Sequence, residues 1–247
     1  MALYFKEIKM KGMITMVAKR AISGLVALSL ISCNVASIMP MDSFNSSFIT
    51  VSADESMAFE SGTGTKEDPY IIANGEQFAK IADYNSSCFK LSSDISLSSS
   101  YYRIDEFKGH LDGDNHIIKT DAGLFDYNYG TISNCIINYA GTSAGGYNFG
   151  TICNMNIEGE INGCTTLTAR VNASKAYKCG GICGSNSCGK IVKCQNNITF
   201  YNDSYLNFEP TSTVFIMIGG IVGDNFGEID KCLNYGNIDF SNNRPVR

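Results

Sequence analysis

The side chains able to do chemistry in this 247-residue chain are ten cysteines, two histidines and scattered carboxylates. A zinc site wants paired ligands at short spacing. No Cys-x-x-Cys occurs, and neither His110 nor His116 stands near a cysteine pair. A reactive thiol needs an electropositive, partly exposed setting to lower its pKa, and inward-facing packing is the preferred reading of these cysteines. The densest acidic cluster is Asp112-Gly113-Asp114-Asn115-His116, preceded by His110. Paired carboxylates can cleave a glycosidic bond, and a calcium nest with a basic residue can make a lyase. The same string also reads as a tight turn between Leu111 and Ile117. Asp224, Glu228 and Asp230 could form an acidic edge. Glu228 and Asp230 flank Ile229, however, and face solvent if Ile229 faces inward. Arg103 and Arg170 stand alone. We assign no catalytic residue, metal ligand or cofactor. The chain reads as a non-enzyme, with a polysaccharide lyase or glycoside hydrolase as the alternative.

What positions these residues is a repeat. Residues 219–232 read GGIVGDNFGEIDKC, and 180–194 read GGICGSNSCGKIVKC. Residues 123–135, GLFDYNYGTISNC, and 145–155, GGYNFGTICNM, share the core Asn-x(1–2)-Gly-x-Ile-x-x-[Cys/Met]. The shared glycines Gly130, Gly150, Gly189 and Gly227 are 20, 39 and 38 residues apart. A unit of about 20 residues with two doubled intervals is the simplest reading, and such self-similarity marks a stacked architecture. The short apolar runs are bounded by Asn-Gly and Asp-Gly punctuation, which is strand and corner chemistry rather than helix periodicity. We therefore expect an all-β chain, a parallel β-solenoid whose equal repeat positions lie above one another about 4.8 Å apart.

Stacking assigns the ladders. Ile132, Ile152, Ile191 and Ile229 would form one inward column. Asn128, Asn148, Asn186 and Asn225 would form a corner column of side-chain amides. Cys135, Cys194 and Cys232 share a position with Met155, so that position wants a soft apolar group, and buried free cysteine behaves as a small hydrophobe. A disulfide within Cys179, Cys183 and Cys188 stays open. Tyr129, Phe149 and Phe226 share another position and would line up as an exposed aromatic stripe for a glycan or protein ligand, or as packing that shields the corner. One segment departs from the pattern. Asn74 to Tyr84 has Phe78, Ile81 and Ala82 at helical spacing, with Gln77 three residues after Asn74 as in a capping box. A short helix there would cover the first rung.

The N-terminal part is different. Lys6, Lys9, Lys11, Lys19 and Arg20 precede the apolar run Ala21–Ser32, too short to span a bilayer. Val51-Ser52-Ala53 is a small-residue cleavage site, so residues 1–53 read as a secretory signal, 54–60 as a short linker and 61–247 as the repeat domain. Leu30-Ile31-Ser32-Cys33 resembles a lipoprotein box, which would instead anchor the protein through Cys33. Residues 1–53 hold five basic and two acidic side chains, leaving 14 basic and 22 acidic in the remainder, net −8. That excludes a nucleic-acid partner, which requires a basic face. No span is expected in the mature chain, which should be an extracellular or cell-surface monomer. No closing element is visible before Arg247, as expected if the last rung frays or the domain continues.

Three segments in order resemble bacterial surface proteins carrying the GLUG motif: residues 61–72, SGTGTKEDPYII; residues 107–118, FKGHLDGDNHII; and Gly123-Leu124-Phe125 with Asn128-x-Gly130-x-Ile132. The resemblance covers most of residues 61–240. It implies a right-handed β-helix in an adhesin-like secreted chain, or a module beside a peptidase. No His-Glu-x-x-His motif is present for the latter.

Overall fold

The computed structural model describes residues 58–98, 101, 103–202 and 216–239. The expected signal segment 1–53 and Cys33 lie outside the described residues. The described residues are all-β apart from one short helix and a following 3-10 turn. Their strands form four sheets in which every strand-to-strand pairing is parallel.

Sheet I has seven strands: Tyr70–Ile72, Cys88–Leu91, His110–Asp112, Thr131–Ser133, Glu160–Asn162, Lys190–Val192 and Glu228–Asp230. Sheet II has six, from Ile95–Ser96 through Ile117–Thr120, Ile136–Tyr139, Thr165–Thr166 and Gln195–Asn196 to Leu233–Asn234. Sheet III has five: Ile104–Phe107, Phe125–Asn128, Cys153–Ile157, Cys183–Ser187 and Val222–Asn225. Sheet IV starts later, with Ser143–Phe149, Ala169–Gly180, Ile198–Tyr201 and Ile238–Asp239, and Met217–Gly219 also pairs with Ala169–Gly180. From Ile104 the chain visits sheets III, I and II in turn, and from Ser143 it includes sheet IV in each circuit.

The register shows which residues are equivalent. In sheet I, Phe89, Leu111, Ile132, Ile161, Ile191 and Ile229 are successive partners. Their intervals are 22, 21, 29, 30 and 38 residues, so the circuit is longer than the expected unit and grows along the chain. Ile152 is not in this column, a correction to the expected ladder. It is fully buried between sheets IV and III, its carbonyl accepting from Phe125 N and its own N–H donating to Ile182 O. Ile161 takes its place. Ile229 is in register but 41% exposed, because its strand is the outer member of sheet I among the described residues.

The corners account for the asparagines. Asn128, Asn156, Asn186 and Asn225 are register partners in sheet III. Asn128 Nδ2 donates to Asn156 Oδ1 at 2.8 Å, Asn156 Nδ2 to Asn186 Oδ1 at 2.9 Å, and Asn186 Nδ2 to Asn225 Oδ1 at 2.8 Å. Asn148 was expected here. It pairs instead with Lys178 in sheet IV, so Asn156 is the true member. The variable spacing of Asn-x(1–2)-Gly also has a cause. Where two residues intervene, the second is left-handed: Glu158 at φ 60° and Cys188 at φ 64°. A shorter ladder joins Thr166 Oγ1 to Asn196 Oδ1 and Asn196 Nδ2 to Asn234 Oδ1, both at 2.8 Å. It explains the second glycine of the Gly-Gly-Ile strings. A Cβ on Gly181 would sit 2.1 Å from Asn196 Oδ1, and one on Gly220 would sit 2.2 Å from Asn234 Cγ.

The helix is present as expected and shorter. It spans Gly75–Ala79 and continues as a 3-10 turn over Lys80–Asp83. Asn74 Oδ1 accepts from Gln77 N at 2.9 Å, and Gln77 Oε1 accepts from Ala73 N at 2.7 Å. The two bonds satisfy two donors at this end, a variant of the capping box in which Gln77 reaches back one residue beyond the cap. Phe78 and Ile81 are fully buried, and the Phe78 ring lies 6.1 Å from Phe125. The 3-10 turn lies against Ile104–Phe107, the first strand of sheet III.

Candidate functional site

The thiols form a column. Cys135, Cys164, Cys194 and Cys232 occupy the corner between sheets I and II, each preceded by a left-handed residue: Asn134, Gly163, Lys193 and Lys231, at φ 52°, 64°, 53° and 52°. Each sulfur points back to the carbonyl two residues earlier, at 3.3, 3.6, 3.3 and 3.4 Å. Cys164, rather than Met155, completes this column. Met155 pairs with Tyr127 and Ser185 in sheet III. Hydrogen bonding to Cys135 and burial hold the Cys164 thiol well above its usual range, and a bond to Cys164 does the same for Cys194. Burial raises Cys153, whose sulfur lies 3.5 Å from that of Cys183, and burial alone raises Cys179. All nine cysteines among the described residues are free thiols. A protonated, buried sulfur is a poor nucleophile, so this column is packing.

The acidic groups are engaged separately. Asp112 Oδ1 accepts from Asp114 N and from Asn134 Nδ2, both at 3.0 Å, which is the chemistry of a turn. His116 Nδ1 lies 3.3 Å from Asp94 Oδ1, and Asp114 pairs with Lys90 at 3.0 Å. Glu228 pairs with Lys190 at 3.4 Å and Asp230 with Lys231 at 2.7 Å. His110 pairs in register with Cys88 and Thr131, one strand away from each.

The aromatic stripe expected from Tyr129, Phe149 and Phe226 is not formed. Phe149 is 1% exposed and stacks edge-on to Tyr139 at 5.5 Å, because it belongs to sheet IV and points into the core. Tyr129 and Phe226 follow Asn128 and Asn225 and are exposed, but three strand intervals separate them, about 14 Å.

A different aromatic group is assembled on the outer face of sheet IV. Tyr147 and Tyr177 come from adjacent strands, are 65% and 41% exposed, and hold their ring centroids 5.6 Å apart. Asn148 and Phe149 pair with Lys178 and Cys179, which sets the two rings side by side. Lys178 Nζ lies 5.7 Å from the Tyr147 centroid and 2.6 Å from Asp224 Oδ2. The carboxylate fixes the ammonium, and the ammonium fixes the ring. The arrangement offers an apolar, electron-rich platform on rigid strands, suited to stacking against a ligand face.

The sequence concealed most of this. Tyr147 was visible beside an Asn-x-Gly turn, whereas Tyr177 and Lys178 fall in the doubled interval between Gly150 and Gly189. The inward column Val171, Ala173, Ala176, Cys179 was a detectable signal. Its alternation slips twice, at Ser174–Lys175, where the register with Ser143–Phe149 also shifts, and again between Ala176 and Cys179.

Among the described residues no helix is long and apolar enough to cross a membrane. No family model matches the chain, and no curated protein matches it. Among solved structures, the chain is similar to a "putative immunoglobulin A1 protease" from Bacteroides ovatus, with 18% identity over 73% of this chain and 70% of that one, at a TM-score of 0.46.

Proposed function

We propose that this chain is a right-handed parallel β-helix of the GLUG type, secreted or held at the cell surface, that binds glycans without chemistry. The helical reading is supported by the fixed order of the sheets and by the in-register columns of isoleucine, asparagine and cysteine. The hand follows from the rule that parallel crossovers are right-handed in about 98% of cases. The surface location is supported by the basic and apolar pattern of residues 1–53. The observation that carries the function is the exposed Tyr147–Tyr177 pair, held by Lys178 and Asp224. A pyranose presents an apolar C–H face of slight positive charge, which complements the negative face of an aromatic ring. Rigid tyrosines also lose little conformational entropy on contact.

Tyr147→Ala and Tyr177→Ala, assayed on a glycan array and by calorimetry on any glycan that binds, are expected to abolish binding. Circular dichroism and the unfolding midpoint should stay those of the parent, since both side chains are exposed. A glycan that binds both variants as tightly as the parent rules out this site.

A further inference from the structure

The tyrosine pair is one end of a longer track along the strand Ala169–Gly180. At the other end Arg170 places its guanidinium 5.1 Å from the ring of Tyr201, as Lys178 does over Tyr147 at 5.7 Å. Between them stands exposed Lys175. Its register partner is Gly145, and nothing lies within 4 Å of the position a side chain there would take. Lys175 thus borders a shallow gap rather than a neighbouring side chain.

The orientation of Lys175 is built in. Val171 and Ala173 are buried, and the next buried position is Ala176 rather than Lys175. The extra residue falls at Ser174–Lys175, where the register with Ser143–Phe149 shifts and Ser174 N bonds back to Asn172 Oδ1 at 3.0 Å. Such a bulge re-aims side chains and is frequent beside binding sites. Without it, strict alternation would turn Lys175 inward.

Charge sets this face against the acidic balance of the chain. The chain carries net −5. Sheet IV carries three cations, Arg170, Lys175 and Lys178, against one carboxylate, Asp239. Asp224 of sheet III neutralises Lys178. Arg170 and Lys175 enter no ion pair among the described residues. From Arg170 to Tyr177 the strand advances seven residues, about 23 Å, the length of a short oligosaccharide.

We propose that the outer face of sheet IV selects an anionic glycan, one bearing carboxylate or sulfate groups, laid along Ala169–Gly180. The tyrosines hold sugar faces, and Arg170 and Lys175 meet the acidic groups. The inference rests on the glycan reading above and narrows its ligand class.

The test is calorimetry of the purified full chain with two anionic probes, oligogalacturonate and chondroitin sulfate oligosaccharide, and one neutral probe, a mannan oligosaccharide. At least one anionic probe should bind, more weakly as salt rises. Arg170→Gln and Lys175→Gln should each weaken it roughly tenfold, the usual scale for losing one charge-assisted contact. Lys190→Gln, which removes a lysine paired with Glu228 on sheet I, should leave affinity unchanged. Neutral binding as tight as anionic binding, sensitive to Tyr147→Ala, overturns the selection for charge and leaves the glycan reading standing. An equal loss in Lys190→Gln overturns it as diffuse attraction. Binding of no probe, with no array signal, overturns both.

Discussion

Raising the pH should unfold this protein through its sulfurs. Cys153, Cys164, Cys179 and Cys194 are each at most 1% exposed, and hydrogen bonding between thiols or burial holds all four well above the usual thiol range. In the unfolded chain they titrate near pH 8.5. Above that pH the unfolded state releases protons that the folded state keeps, so the unfolded state binds fewer and stability falls as pH rises. The contribution is whole below about pH 8.5 and drains away above it. For one thiol the loss between about pH 7.5 and about pH 9.5 is roughly 1.4 kcal/mol, and for four independent thiols about 5 kcal/mol. That is a large part of an ordinary domain stability of about 5–15 kcal/mol. Tyr101 and Tyr139 add little in this window. Burial raises both, Tyr139 to about 12, and unfolded tyrosine ionises only near pH 10. The assay is urea unfolding followed by circular dichroism in a phosphine reductant at the two pH values. Cys194→Ala should cut the pH-dependent loss by about a quarter, whatever it does to stability at neutral pH. Equal stability at both pH values would refute the reasoning, as would thiolate absorbance in the folded protein near pH 8.5 that Cys194→Ala diminishes.

Two substitutions test the corners, and a third within a strand is their control. Asn156→Leu removes the middle of the amide ladder and strands Asn128 Nδ2 and Asn186 Oδ1 in the interior, so thermal and urea unfolding should report a loss of about 2–4 kcal/mol. Gly181→Ala forces a methyl group against Asn196 Oδ1, and the same assays should read a loss of about 1–3 kcal/mol. Gly145→Ala has open space and no left-handed backbone to resist it, so it should fall within about 0.5 kcal/mol of the parent.

Much of the architecture was legible because parallel stacking repeats its demands. The cysteines at the I–II corner, the corner asparagines and the cap on residues 75–79 are each required by local chemistry. Errors arose where a string matched without sharing a register. Residues 145–155 imitate the repeat, yet Asn148 and Phe149 belong to a strand of sheet IV that runs up to the next member of sheet III. The detour lengthens the circuit from 21 to 29 residues between Ile132 and Ile161. A match at 20-residue spacing was therefore compatible with the text and incompatible with the space. Phe149 followed Asn148 into the wrong group, and its burial reflects the inward side of that strand. The Tyr147–Tyr177 platform escaped because two residues 30 apart meet only through strand pairing, and the bulge at Ser174–Lys175 blurs the alternation that would have announced the strand.

The later arrival of sheet IV has a consequence for how such a molecule can diversify. The chain visits sheets III, I and II twice before sheet IV begins, so the fourth sheet is an excursion added to an order that stands without it. Lengthening or replacing that excursion changes what the exterior offers to the world without retuning the columns within. Natural variation, or a designer, can therefore edit recognition by grafting onto this sheet while inheriting that order intact.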